Sequence, residues 1–167
     1  MMTFRSSRFL LFFICHELIV AALYFQYVDN LEPCPLCIFQ RVVFALMALL
    51  FLLAAIHNPK PDGQKYYNLS TFLVTLIGVL IAGRHVWLQH LPKDQVPTCG
   101  PGFNYLLETL PLGEFINNVL RGSGECAEVS WRMLGFTMPE LTLFIYVLFA
   151  VFLGRASWLG FRRKSVW

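Results

Sequence analysis

Charged side chains are scarce in this chain of 167 residues: Asp, Glu, Lys and Arg make up 14% of it, and the formal net charge is only +3. A total so close to balance points to no class of partner, so the placement of the charges has to carry that information. The sequence shows no internal repeat, no low-complexity tract and no nucleic-acid motif, and nucleic acid is not an expected partner. Cysteine is sparse as well, with five residues. Apolar residues fill the rest, at 57% hydrophobic, where soluble domains usually reach about 45–50%. That surplus places the chain in the membrane class. Sixteen Phe suit a lipid-facing surface, with Trp and Tyr at its interfaces.

A spanning helix needs about 20 mostly apolar residues. Four stretches qualify, at 9–28, 38–56, 69–91 and 141–161. They predict an all-α membrane protein: a single four-span domain over 1–167, with connecting segments 29–37 and 92–140 on one side. Helices are required because hydrocarbon cannot hydrogen-bond a bare backbone. The basic start followed by an apolar run has the outline of a signal peptide. The run is long, however, and no small-x-small cleavage site follows it, so it reads as a retained first helix.

The charges set the orientation. Arg5 and Arg8 precede the first span, Lys60 and Lys65 lie between the second and third, and Arg162, Arg163 and Lys164 follow the fourth. Segment 29–37 carries Asp29 and Glu32, with no Lys or Arg before Arg41. Segment 92–140 is acid-rich: Asp94, Glu108, Glu114, Glu125 and Glu128 stand against Lys93, Arg121 and Arg132. The positive-inside rule then puts both termini and the 57–68 loop in the cytoplasm. That loop, with His57-Asn58-Pro59-Lys60-Pro61-Asp62-Gly63, reads as a plain turn. Within the long outer segment, Leu112, Phe115, Ile116, Val119 and Leu120 recur at helical spacing. They mark a short amphipathic helix that either lies on the membrane surface or packs against the bundle.

Four of the five cysteines fall in the two outward segments. Cys34 and Cys37 stand in Pro33-Cys34-Pro35-Leu36-Cys37 at the mouth of the second span. Proline is favoured in a helix's first turn, so Cys37 should lie in or near that turn, where the helix N-terminus favours a thiolate. Arg41 follows one turn deeper on the same face, adding positive charge near the sulfur. This setting suits redox chemistry. The alternatives are a stable Cys-x-x-Cys disulfide or a pair of zinc ligands, and no metal is expected. Cys99 and Cys126 sit in Gly- and Pro-rich polar stretches, which suits either labile, exchanging sulfurs or a structural staple. Cys15, inside the first span, should pack as a small apolar group. His16 and Glu17 also fall inside that span, where charge is costly, and Arg84 of the third span is a candidate partner for Glu17.

Together these features resemble the disulfide bond formation protein B family. The resemblance rests on four spans, Pro33-Cys34-Pro35-Leu36-Cys37-Ile38 with Arg41 after it, Gly124-Glu125-Cys126-Ala127-Glu128, and Met138-Pro139 before the last span. It covers nearly the whole chain. It implies a bacterial inner-membrane thiol:quinone oxidoreductase, with its cysteine loops in the periplasm, that reoxidises a thioredoxin-like dithiol oxidase of the DsbA type. The electrons would pass to a membrane quinone, ubiquinone or menaquinone. By the same resemblance Cys99 and Cys126 form the disulfide offered to the partner, with Cys99 making the mixed disulfide. Cys34 and Cys37 reoxidise that pair, Cys37 faces the quinone, and Arg41 holds it. A histidine at the outer end of the third span completes the implied site. His85 and His90 are both candidates, and the position nearer the interface favours His90. The competing reading is a membrane scaffold with two structural disulfides.

Overall fold

A computed structural model describes residues 3–92, 94–98, 103–129, 131–133 and 135–162, without the side chains of 103, 104, 106 and 133. Lys93, Cys99, Arg163 and Lys164 lie outside the described residues. Four helices are long and apolar enough to cross a membrane: α1 Phe4–Tyr27, α2 Pro35–His57, α3 Pro61–Gln89 and α7 Met138–Arg162. Between α3 and α7 come α4 Phe103–Thr109, α5 Leu112–Arg121 and α6 Gly124–Ala127, then the two-residue strands β1 Arg132–Met133 and β2 Phe136–Thr137. The strands pair antiparallel, with Arg132 opposite Thr137.

Local chemistry sets the helix ends. The Thr3 hydroxyl accepts the Ser6 N–H at 3.3 Å and opens α1. Proline stands at the start of both α2 and α3, where its missing N–H would have no intrahelical partner anyway. Asn58, in the left-handed region at φ 42°, closes α2. The connection expected over 57–68 is therefore much shorter than the sequence suggests, because α3 already begins at Pro61. Asp62 lies in its first turn and pairs with Lys65 at 2.8 Å. This polar turn extends the helix beyond the apolar run that marked the span.

The helices run alternately up and down. α1 packs on α2, α2 on α3, and α3 most extensively on α7, whereas α1 and α7 scarcely touch. Small residues allow the close approach: a Cβ on Gly78 of α3 would collide with the Tyr146 ring of α7. Tyr146 is fully buried, stacks on Phe44 at 4.3 Å and donates its hydroxyl proton to the Gln40 carbonyl at 2.7 Å. Leu10, Phe13, Leu49, Leu80, Phe144 and Phe152 point outward and exposed, a surface suited to lipid tails. Near the end that carries Arg5, Lys60, Lys65 and Arg162, Arg8 is buried. It donates to Asn68 Oδ1 at 2.5 Å and lies over the rings of Phe4 and Phe51 at 4.7 and 5.7 Å.

The long connecting segment covers the opposite end. α5 buries Phe115 and Val119 and leaves Leu112, Ile116 and Leu120 exposed. The Phe115 ring meets Phe39 of α2 at 6.0 Å. Arg84 of α3 donates to the Leu120 and Arg121 carbonyls at 3.3 and 3.0 Å, satisfying acceptors that a helix C-terminus leaves open. Glu17 is thus not its partner. Glu17 instead meets its neighbour His16 at 3.2 Å, and both are exposed.

Candidate functional site

Cys34 is the residue just before α2, and its backbone is extended, at φ −65° and ψ 162°. The following proline imposes that conformation through contact with the preceding residue. The helix then brings Cys37 round three positions later to the same side, and Cys34 Sγ stands 3.4 Å from Cys37 Sγ. Cys34 is buried and Cys37 half-buried.

His85 of α3 joins them. It is 2% exposed, and its Nε2 lies 3.7 Å from Cys34 Sγ. Its Nδ1 meets the Gln40 side-chain amide at 3.2 Å. A carboxamide has both a donor and an acceptor end, so Gln40 can hold the ring in either tautomer. The reactive atoms of Cys34, Cys37 and His85 all lie within 4.8 Å of one another.

Cys126 comes from the segment between α3 and α7, on α6, and is fully buried. The Cys34 thiol donates to Cys37 and also interacts with the nearby Cys126 sulfur. Its proton thus faces two neighbouring sulfurs. Giving it up would cost Cys34 both interactions, which together with burial hold its pKa far above an ordinary thiol's. Cys126 moves the other way. The Cys34 hydrogen bond, opposed by burial and assisted by backbone N–H groups at Ser123 and Leu36 and by nearby His85, holds it down to about 6. A low-pKa sulfur beside two others is suited to thiol exchange. Two features tie the α6 turn in place. Gly122, at φ +79°, packs against Leu88 so closely that a Cβ would collide, and the Gly124 N–H donates to the Thr98 carbonyl at 3.3 Å. Cys99, the next residue after Thr98, lies outside the described residues.

Arg41 is one turn below Cys37 on α2. Its guanidinium reaches across to α1, donating to Gln26 Oε1 and, at 3.0 Å, to the Ala22 carbonyl. Beside it a cavity of about 330 Å³ fills the gap between α1 and α7. Leu18, Ile19, Ala22 and Phe25 of α1 form one wall, and Met138, Leu141, Thr142 and Ile145 of α7 the other. Cys34, Cys37, Gln40, Arg41, His85 and Gln89 supply its polar edge, and Gln89 Oε1 is buried with no hydrogen-bond partner among the described residues. Glu32, Glu125 and Glu128 also line it.

His90, the histidine favoured from sequence, does not enter this cluster. It lies just past the end of α3, exposed, with Nδ1 2.9 Å from the Val86 carbonyl and Nε2 3.6 Å from Glu140. His85 stands beside the sulfurs instead. Five residues turn a helix well past one revolution, so the two histidines face different ways. The sequence held a signal for this: Ile81, Ala82, His85 and Leu88 form one buried face of α3, on which His90 has no place. Gln40 and Gln89 went unnoticed because a glutamine in an apolar span carries no motif.

Comparison with known proteins gives a consistent result. The family model for disulfide bond formation protein DsbB matches residues 4–156. The disulfide bond formation protein B of Nitrosococcus oceani is 56% identical over 147 residues, covering 88% of this chain and 87% of that protein. The protein of the same name from Hahella chejuensis is 48% identical, covering 89% and 90%. The one from Methylobacillus flagellatus is 43% identical, covering 96% and 95%.

Proposed function

Since the chain belongs to the disulfide bond formation protein B family, we propose that it is a thiol:quinone oxidoreductase that reoxidises a DsbA-type periplasmic dithiol oxidase. The observation that carries this reading is the meeting of the two cysteine segments: Cys126 lies against Cys34, and Cys37 opens onto an apolar cavity. The orientation follows from charge. With the Arg5, Lys60, Lys65 and Arg162 end in the cytoplasm, the cysteines face the periplasm of a bacterial inner membrane.

The cavity fits a quinone ring. It is walled by aliphatic and aromatic side chains, and it presents a guanidinium, an imidazole and an orphaned amide oxygen along one edge. Arg41, His85 and Gln89 would hold such a ring, and Leu18, Ile19 and Ile145 would cover its faces. A bound quinone, ubiquinone or menaquinone, supplies an acceptor for two electrons and two protons. His90 stands outside this edge and is not part of the proposed contact.

The chain's own residues carry the electrons there by sulfur exchange. The partner's thiolate attacks Cys99 of a Cys99–Cys126 disulfide, forming a mixed disulfide and releasing Cys126 as thiolate. The partner's second thiol then expels Cys99 and closes the partner's disulfide, so two electrons and two protons have entered this chain. Cys126, already released as the thiolate, attacks Cys34 of a Cys34–Cys37 disulfide and frees Cys37. Cys99 displaces Cys34, which restores the outer disulfide and leaves Cys34 and Cys37 as thiols. Cys37, at the α2 N-terminus and one turn from Arg41, is then the sulfur placed to deliver the pair into the cavity. Arg41 stabilises negative charge as it develops there, and His85 is positioned to move the proton of Cys34. Re-forming the Cys34–Cys37 disulfide completes the balance.

The test is anaerobic quinone reduction by the purified protein in detergent, driven by a reduced DsbA-type oxidase. Wild type should turn over, and Cys37→Ser and Cys99→Ser should not. No turnover in wild type, with the four thiols locked in disulfides that resist dithiothreitol, would leave a membrane scaffold in its place.

A further inference from the structure

The cluster that exchanges disulfides also has the donor set of a thiophilic cation site. We propose that the fully reduced protein binds one zinc ion through Cys34 Sγ, Cys37 Sγ and His85 Nε2. Zinc bonds of about 2.3 Å to sulfur and about 2.0–2.1 Å to imidazole nitrogen place tetrahedral donors about 3.8 Å apart for two sulfurs and about 3.5 Å for sulfur and nitrogen. The corresponding separations here are 3.4 Å between Cys34 and Cys37 and 3.7 Å between Cys34 and His85. Those two pairs need shifts of only a few tenths of an ångström, and all three donors lie within 4.8 Å of one another.

The surroundings favour the same chemistry. A zinc-bound histidine donates its second ring N–H to an acceptor that fixes its orientation, and the Gln40 amide stands 3.2 Å from His85 Nδ1. Turning that amide presents its oxygen. Two thiolates neutralise the ion, which limits its repulsion by Arg41, and Glu32, Glu125 and Glu128 line the approach. Three protein donors leave the fourth position to solvent or to Cys126, which touches Cys34. Binding displaces the thiol protons of Cys34 and Cys37 and moves no electrons. The Cys34–Cys37 disulfide offers no thiolate, so only the reduced state qualifies. Zinc would therefore trap the reduced enzyme and stop reoxidation, a consequence that rests on the oxidoreductase reading although the binding does not.

Cobalt(II), a spectroscopic stand-in for zinc, tests the site. Protein in detergent, reduced and held anaerobically, is titrated with cobalt alone and then with zinc in competition. One equivalent should give thiolate-to-cobalt charge transfer and tetrahedral visible bands, both removed by zinc. Disulfide-oxidised wild type should give neither. His85→Ala should weaken uptake by at least about tenfold, as loss of one of three ligands requires. Absent charge transfer, equal uptake by oxidised protein, or unchanged affinity in His85→Ala would each overturn the site. The oxidised control needs no substitution and holds even if the variant folds poorly. Quinone reduction by the metal-free protein is followed on the same preparation. Turnover without cobalt uptake overturns the zinc site alone. Uptake without turnover overturns the oxidoreductase reading and leaves the site standing.

Discussion

Arg8 and Arg41 put the same group, a guanidinium drawn into a helical bundle, at opposite ends of the molecule. Arg8 is enclosed. Asn68 takes one hydrogen bond, two phenylalanine rings flank the charge, and 5% of the residue remains exposed. Arg41 is anchored just as firmly, by Gln26 and the Ala22 carbonyl, yet one side of it opens on a cavity. The difference follows from the packing around each. Aromatic side chains fill the space around Arg8, whereas α1 and α7 stay apart near Arg41. A buried charge that is fully enclosed serves the fold; one that is held in place beside an unfilled volume is available to a ligand.

This contrast can be tested in order of expected effect. Cys37→Ser should reduce quinone reduction to background while Cys99 still forms a mixed disulfide with the reduced partner, scored by trapping that complex. Trapping lost together with turnover would show that the two steps are not separable. Gly78→Ala should strike Tyr146 and destabilise the bundle by about 1–3 kcal/mol, read as a lower unfolding midpoint in detergent. Arg8→Ala removes a charged hydrogen bond and leaves Asn68 unpaired, for a loss of about 1.5–3 kcal/mol, with the quinone KM of the folded fraction unchanged. Arg41→Met should do the reverse, raising the quinone KM about tenfold, equivalent to about 1.4 kcal/mol, with a smaller change in unfolding midpoint. If the KM effects of the two arginine variants were exchanged, the contrast between the ends would be wrong. Tyr67→Phe, which removes an exposed 3.0 Å contact to His57, should shift stability by less than about 0.5 kcal/mol.

His85 of α3 and His90 just past its end show how far sequence reading reached into the site. His85 and His90 were both visible as candidates, and nearness to the interface favoured the second. The structure puts His85 beside the sulfurs because its face of α3 is turned toward α2, where Gln40 receives it. Distance along the chain cannot convey that rotation. The early start of α3 was missed for a related reason: hydropathy detects the apolar run, while Pro61, Asp62 and Lys65 build a polar turn that hydropathy reads as loop. Sequence offers Arg84 as a candidate partner for Glu17 because charge inside a membrane is costly. In the fold it serves the carbonyls at the end of α5, and Glu17 meets its neighbour His16 instead.

Sequence alone determined the class of the molecule. Four apolar runs of spanning length, separated by polar segments with opposite charge bias, leave helices as the way to satisfy the backbone in lipid, and the motifs around Cys34, Cys37 and Cys126 identify the family. Tertiary structure decided which side chains meet. The contact of Cys126 with Cys34, the choice of His85, and the cavity between α1 and α7 each depend on how helices distant in sequence are rotated and spaced. That geometry comes from the packing of whole faces, such as Gly78 against Tyr146 and Leu88 against Gly122, and no local pattern encodes it.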